Sequence, residues 1–182
     1  MRVVYDESKF TELVLYVADR LRADRAGGAT KLNKVLFFAD FAHVRRTGAP
    51  ITGAEYQKLP QGPAPRRLQP VRDALVEAGA ATVAREEFLG YERHRLVPQR
   101  PANTSVFATA ELETIEQVLA DLDGLNARQV SDLSHEEAGW RLVEEGDVIP
   151  YEAALVGARQ VSTPTSRRLV REVAERYGLL PA

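Results

Sequence analysis

Apolar residues recur at helical spacing along most of this chain. Leu13, Val14, Val17, Ala18 and Leu21 lie three and four apart and predict a first helix, capped by Asp6 or Ser8 and ended at Gly27-Gly28. Thr30 reads as the N-cap of a second helix. Its stripe of Leu32, Val35, Leu36, Ala39 and Ala42 is widened by Phe37, Phe38 and Phe41. A helix apolar around so much of its circumference belongs in the core. Thr47-Gly48 stops it, and Ile51 to Leu59 reads as a short irregular strand. Pro60-Gln61-Gly62-Pro63-Ala64-Pro65 then predicts a fixed extended loop, because proline locks φ and donates no hydrogen bond. A third helix is expected from Arg66 to Glu77, with Leu68, Val71, Leu75 and Val76 inward and Gly79 as its C-terminal cap.

Residues 81–88 and 91–97 alternate in the manner of strands and predict a β-hairpin. Helix, helix, strand, helix and hairpin is the order of a winged-helix-like unit. Further helices are expected from Thr109 or Ala110 through Leu122, and from Asn126 through Val130 and Leu133. Another is expected from Ser134, where Glu137 three residues on suggests a capping box. Ile149-Pro150-Tyr151 turns into a short helical stretch, and Thr163-Pro164-Thr165 opens a last helix bearing Leu169, Val173 and Tyr177 on one stripe. The fold class is therefore α+β, predominantly α-helical, with a small antiparallel β-hairpin or sheet. Residues 1–156 form the main domain and 157–182 a C-terminal helical extension.

With 182 residues, 45% of them hydrophobic and 27% charged, the chain is long enough and apolar enough to bury its own core. The absence of cysteine removes disulfides, thiolate zinc sites and a cysteine nucleophile. No apolar run approaches the roughly 20 residues of a membrane span, and a soluble, cytoplasmic protein is expected. The net charge of −2 argues against a strongly basic duplex binder and leaves only local patches. His43, His94 and His135 are far apart and show no metal-binding spacing. Gly27-Gly28-Ala29-Thr30-Lys31 lacks the phosphate-loop pattern, and no nucleophile elbow is present. A binding protein without metal or cofactor, and not an enzyme, is the expectation.

Thr30-Lys31-Leu32-Asn33-Lys34-Val35-Leu36-Phe37-Phe38-Ala39-Asp40 resembles the opening motif of the Panacea domain, the SocA-like antitoxin family. Gly48, Ile51-Thr52-Gly53, Glu55-Tyr56 and the loop Gly62-Pro63 follow in the family's order. So do Leu133-Ser134-His135-Glu136, Trp140 and Ile149-Pro150-Tyr151-Glu152-Ala153-Ala154-Leu155, so the resemblance runs from about Phe10 to Leu155. It implies a bacterial or phage-encoded antitoxin, of the kind met in phage defence, that neutralises a toxin encoded by a neighbouring gene through direct contact. Some such proteins deliver the toxin to a AAA+ protease instead.

The recognisable residues, Lys31, Lys34, Tyr56, Gly62, Pro63, His135 and Trp140, then read as scaffold. Tyr56 is expected beneath the hairpin, with its hydroxyl tied to a neighbour. Lys31 and Lys34 flank an apolar stripe, either exposed on one side or with stems covering the core edge. The candidate partner contacts are what the motifs leave over: Arg66, Arg67 and Arg72 on the third helix, Arg93 and Arg95 on the hairpin, and Leu169, Val173 and Tyr177 on the last helix. The same basic helix and hairpin offer a rival reading, a transcriptional regulator bound to operator DNA with the hairpin as its wing. The oligomeric state is left open by the sequence.

Overall fold

The computed structural model describes residues 1, 3–88 and 91–156, together with Arg168, Glu172, Val173 and Arg176 of the C-terminal segment. Helix α1 (Glu7–Arg20) starts at Asp6, whose carboxylate accepts the Lys9 N–H at 2.9 Å. Helix α2 (Ala29–Thr47) follows after a tight turn. It starts at Gly28 with no side-chain cap, so Thr30 is already inside the helix and the expected threonine cap is corrected. A Cβ at Gly27 would lie 2.3 Å from the Leu21 carbonyl, so the turn requires glycine for its closeness.

The irregular strand is shorter than expected. Only β1 (Tyr56–Gln57) is regular, and it pairs antiparallel with β2 (Ala64–Pro65), inside the segment where prolines predicted no ladder at all. Pro65 is tolerated because the pairing is only two residues long and the bond from Arg66 N–H to the Glu55 carbonyl, 2.9 Å, closes it instead. Helix α3 (Leu68–Glu77) begins two residues later than expected and carries Pro70 in its first turn. Strands β3 (Ala81–Phe88) and β4 (Tyr91–Pro98) form the expected hairpin in register Ala81↔Pro98 to Phe88↔Tyr91.

A short 3₁₀ turn (Thr104–Val106) leads to α4 (Thr109–Asp121), then α5 (Ala127–His135), α6 (Ala138–Leu142) and a 3₁₀ helix (Tyr151–Leu155). The Asn126–Gln129 capping box opens α5, each side chain accepting the other's backbone N–H at 2.9 and 3.0 Å. Ser134 caps nothing. It lies within α5 and donates back to the Ser131 carbonyl at 2.7 Å, and α6 starts from Glu137. The described residues thus form a mainly helical α+β fold of six α-helices and two small two-stranded antiparallel sheets.

Helix α2 runs through the centre, touching α1, α4, α5, β2, β4 and the 3₁₀ helix of Tyr151–Leu155. Val35, Leu36, Phe37, Ala39 and Val44 are wholly buried on it. Asp40 is equally buried, and the fold closes around its carboxylate. Thr52 donates its N–H at 2.7 Å and its hydroxyl at 2.6 Å, while the Tyr56 and Tyr151 hydroxyls lie 2.8 and 3.2 Å from Oδ2. Tyr56 also reaches the Leu36 carbonyl at 2.8 Å, and Tyr151 donates to the Ala54 carbonyl at 2.6 Å. Burial pushes the Asp40 carboxyl above the ordinary carboxylate range, and the hydrogen bonds from Thr52 and Tyr56 oppose that shift. The rings of Phe37, Phe41, Tyr56 and Tyr151 pack edge-on or tilted around it. So the Tyr56 hydroxyl is tied as expected, but the ring lies against α2.

Asp40→Ala strands the Thr52 N–H and hydroxyl, and is expected to lower unfolding free energy by about 3 kcal/mol in urea titrations. Asp40→Asn keeps an acceptor and should lose less. A smaller loss for alanine than for asparagine would remove Asp40 from this role.

Candidate functional site

Two lysines on the first turns of α2 organise the surface next to it. Both are buried, Lys31 at 1% and Lys34 at 2% exposure, so of the two readings the exposed one is excluded, and the whole side chains, not the stems alone, are covered. Lys31 Nζ lies 2.5 Å from the Asp24 carboxylate and donates to the Leu125 carbonyl at 2.8 Å. It thereby joins the α1–α2 turn to the α4–α5 turn, and sits at an open groove of about 320 Å³ lined also by Arg20, Glu116 and Asp123. The charges of that groove are mixed in sign, and its lysine is already neutralised.

Lys34 has no such counter-ion among the described residues. Its Nζ donates to the Pro63 carbonyl at 2.9 Å, and burial pushes its pKa down to about 8. Pro63 follows Gly62, whose φ of +93° is open to glycine and strained for other residues. A Cβ there would also meet Ser134 Oγ at 2.3 Å and Lys34 Cε at 2.7 Å. The loop is pinned a second time by Ser131, which donates to the Gln61 carbonyl at 2.9 Å. A third fastening is Trp140 Nε1 to the Leu59 carbonyl at 3.3 Å.

Trp140 is half-buried and stacks on His135, with centroids 4.1 Å apart, while Lys58 Nζ lies 4.3 Å from its ring centre. Lys58 also donates to the Val143 carbonyl at 2.8 Å. Burial lowers the His135 pKa, and Lys34 and Lys58 lower it further against the opposing Asp132. Gly62, Pro63, Lys34, His135 and Trp140 are thus one assembly, which locks the β1–β2 loop onto α5 and α6.

The remaining predicted residues do not converge. Arg95 is buried and turned inward, donating to the carbonyls of Leu21, Arg22 and Asp24 at 3.0, 2.8 and 3.1 Å. It braces the turn that follows α1, close to the helix C-terminus, where the dipole favours a cation. Arg93 is half-buried and donates to Glu86 at 2.5 Å and to the Arg25 carbonyl. The hairpin's two best basic residues are therefore engaged within the chain. Arg66 lies 3.6 Å from Glu55, Arg67 stacks over Tyr5 at 5.3 Å, and Arg72 reaches its neighbour Asp73 at 2.8 Å. Those three stay accessible on the α3 side.

Leu169 and Tyr177 lie outside the described residues. Val173 is 7% exposed and packed by this chain itself, so that part of the C-terminal stripe is turned inward. His43 pairs with Thr114 at 3.0 Å, far in sequence and setting from His135 on Trp140. Sequence reasoning missed Asp40, Thr52, Tyr151, Lys58 and Ser131. One signal was present: a polar residue inside a helix apolar on all sides must have found partners.

This geometry defines a mainly helical scaffold whose polar side chains largely fasten its own loops. The chain matches the model of the family described as antitoxin SocA-like, Panacea domain, over residues 32–141, more than half its length, and it belongs to that family. The matched stretch contains α2 from Leu32 onward, the Gly62-Pro63 loop, the hairpin and the whole Trp140 assembly. No match was found among curated proteins or among solved structures. No helix among the described residues is long and apolar enough to cross a membrane.

The buried Lys34 sets an alkaline signature. The folded lysine releases its proton near pH 8 and the unfolded one near its ordinary 10.5, so the unfolded state holds more protons between them and stability rises with pH. The slope is at most about 1.4 kcal/mol per pH unit. Above pH 10 buried Tyr56 and Tyr151, whose pKa values are raised chiefly by burial, reverse the trend. Urea unfolding from pH 8 to 10 should show the rise in the wild type and lose it in Lys34→Met; equal slopes would show that Lys34 is not its source. In the same assay Arg95→Ala is expected to cost about 2 kcal/mol, and Arg66→Ala under about 0.5 kcal/mol.

Proposed function

We propose that this protein is an antitoxin that neutralises a cognate toxin by direct protein–protein contact, as an occluding partner and with no catalysis of its own. Membership of the antitoxin SocA-like family carries the reading. The use of its basic residues supports it against the rival, operator binding. A DNA wing needs cations free to meet phosphates. Here Arg95 is spent on carbonyls of the turn after α1 and Arg93 on Glu86 and the Arg25 carbonyl, while Arg66 and Arg72 face acidic neighbours. The fastened loops also suit a preformed surface, which lowers the ordering cost of binding.

Co-expression with the product of the neighbouring open reading frame tests the reading. The neighbour alone should arrest growth, the pair should grow, and the two should co-purify as a complex stable to moderate salt. A harmless neighbour, or rescue of growth without any complex, would count against direct neutralisation. Specific, steeply salt-dependent retention of the gene's own promoter DNA would favour the regulator.

A further inference from the structure

Surface charge is distributed unevenly on this molecule. Some exposed acidic side chains have basic partners: Asp19 with Arg22, Glu113 with Arg46, Glu116 with Arg20, Asp73 with Arg72. Others, such as Glu7, Glu77 and Asp123, stand singly without one. The corner formed by the end of α5, α6 and the loop to Val148 gathers five of the second kind. Asp132, Glu136, Glu144, Glu145 and Asp147 are all exposed there, and none has an ion pair or a side-chain hydrogen bond among the described residues. The sole acid of this stretch with a partner is Glu137, held by Arg45. Between Asp132 and Val148 six acidic residues stand against one basic residue, Arg141.

Apolar side chains surface in the same corner. Leu133, Leu142 and Val148 are 38%, 41% and 38% exposed, three of the seven large hydrophobics exposed on the described residues. Leu133 lies on α5 and Leu142 on α6. They are outward because Val130, Ser131 and Ser134 take the buried face of α5, and Gly139 and Trp140 hold α6 against Ile149 and Leu59. The corner is also held firmly. Lys58 N–H donates to the Asp147 carbonyl at 2.9 Å, and Gly146 N–H to the Lys58 carbonyl at 2.8 Å. Acidic and apolar side chains are thus presented on a fastened platform.

We infer that this α5–α6 corner is the toxin-docking surface, and that its occupant presents a basic, partly apolar face. The inference rests on the antitoxin reading above and names the surface and the partner's chemistry. Charge decides the class of occupant. Unpaired carboxylates repel nucleic acid and anionic lipid, and a second copy docked by a two-fold axis would set this acidic corner against itself. A cationic protein surface gains from the same charges, while Leu133, Leu142 and Val148 supply the apolar contact that charge alone lacks. A toxin whose own target is a polyanion has such a face, and covering it would block the target.

The test uses the full chain and the purified product of the neighbouring gene, with affinity measured by calorimetry at low and high salt. Wild-type binding should weaken about 10-fold as ionic strength rises from about 0.05 to 0.3 M. The triple variant E136K/E144K/E145K should bind at least about 100-fold more weakly, and L142A about 10-fold more weakly. E77K on α3 serves as the charge control and should change affinity by less than about 2-fold. All five positions are exposed, and an unchanged melting temperature keeps folding out of the comparison. If the wild-type complex forms and the triple variant binds equally well, this surface is wrong and the antitoxin reading survives. If a toxic neighbour forms no complex with the wild type, the antitoxin reading fails and the surface with it. A bound partner lacking any basic face would also overturn the inference.

Discussion

The structure depends on one constraint: α2 is buried around most of its circumference, yet it carries charged and polar side chains there that must be satisfied where they are. A buried polar group without a partner costs as much as a core cavity, so each of these side chains selects a piece of chain to bind. Lys31 takes Asp24 and the Leu125 carbonyl, Lys34 the Pro63 carbonyl, Asp40 the residues Thr52, Tyr56 and Tyr151, and His43 Thr114. These partners lie before, beside and more than a hundred residues after the helix. The loops of this fold are arranged by what α2 has to hydrogen-bond, as much as by what it has to cover.

The two lysines show how finely that works. Lys31 meets a carboxylate and a carbonyl, whereas Lys34 meets a carbonyl alone and is pushed toward its neutral form by burial. What Lys34 does in return is hold Pro63, and with it Gly62, against Ser134. Trp140 and Lys58 extend the same fastening to α6 and the loop beyond it. The residues shared with the Panacea motif are therefore mainly an internal frame, and the frame positions the acidic corner without forming part of its exposed charge.

Much of the architecture was legible from the chain because it is local. The 3.6-residue spacing of Leu13, Val14 and Val17, the alternation of 81–97 and the turn signals at Gly48 and Gly79 each act over a few residues. Caps were legible where the competing structure was also local, as at Asp6 and Asn126, and misread at Thr30 and Ser134. There the helix boundary was set by tertiary contacts: the closeness of Gly27 to Leu21, and the continuation of α5 through Ser134 to reach the Gly62 loop.

The basic residues illustrate the other side. Nothing near Arg95 in sequence reveals that three carbonyls of the turn after α1 await it, since they gather around one point only once that turn closes beside β4. Likewise, the exposure of Leu133 and Leu142 follows from which face of α5 and α6 the Gly62 loop occupies. The sequence by itself determined the helices, the hairpin, the family motif and the charge each segment carries, because those are properties of neighbouring residues. Only the tertiary structure decided which charges are consumed inside and which are left at the surface, because desolvation and hydrogen-bond satisfaction depend on groups brought together from across the whole chain.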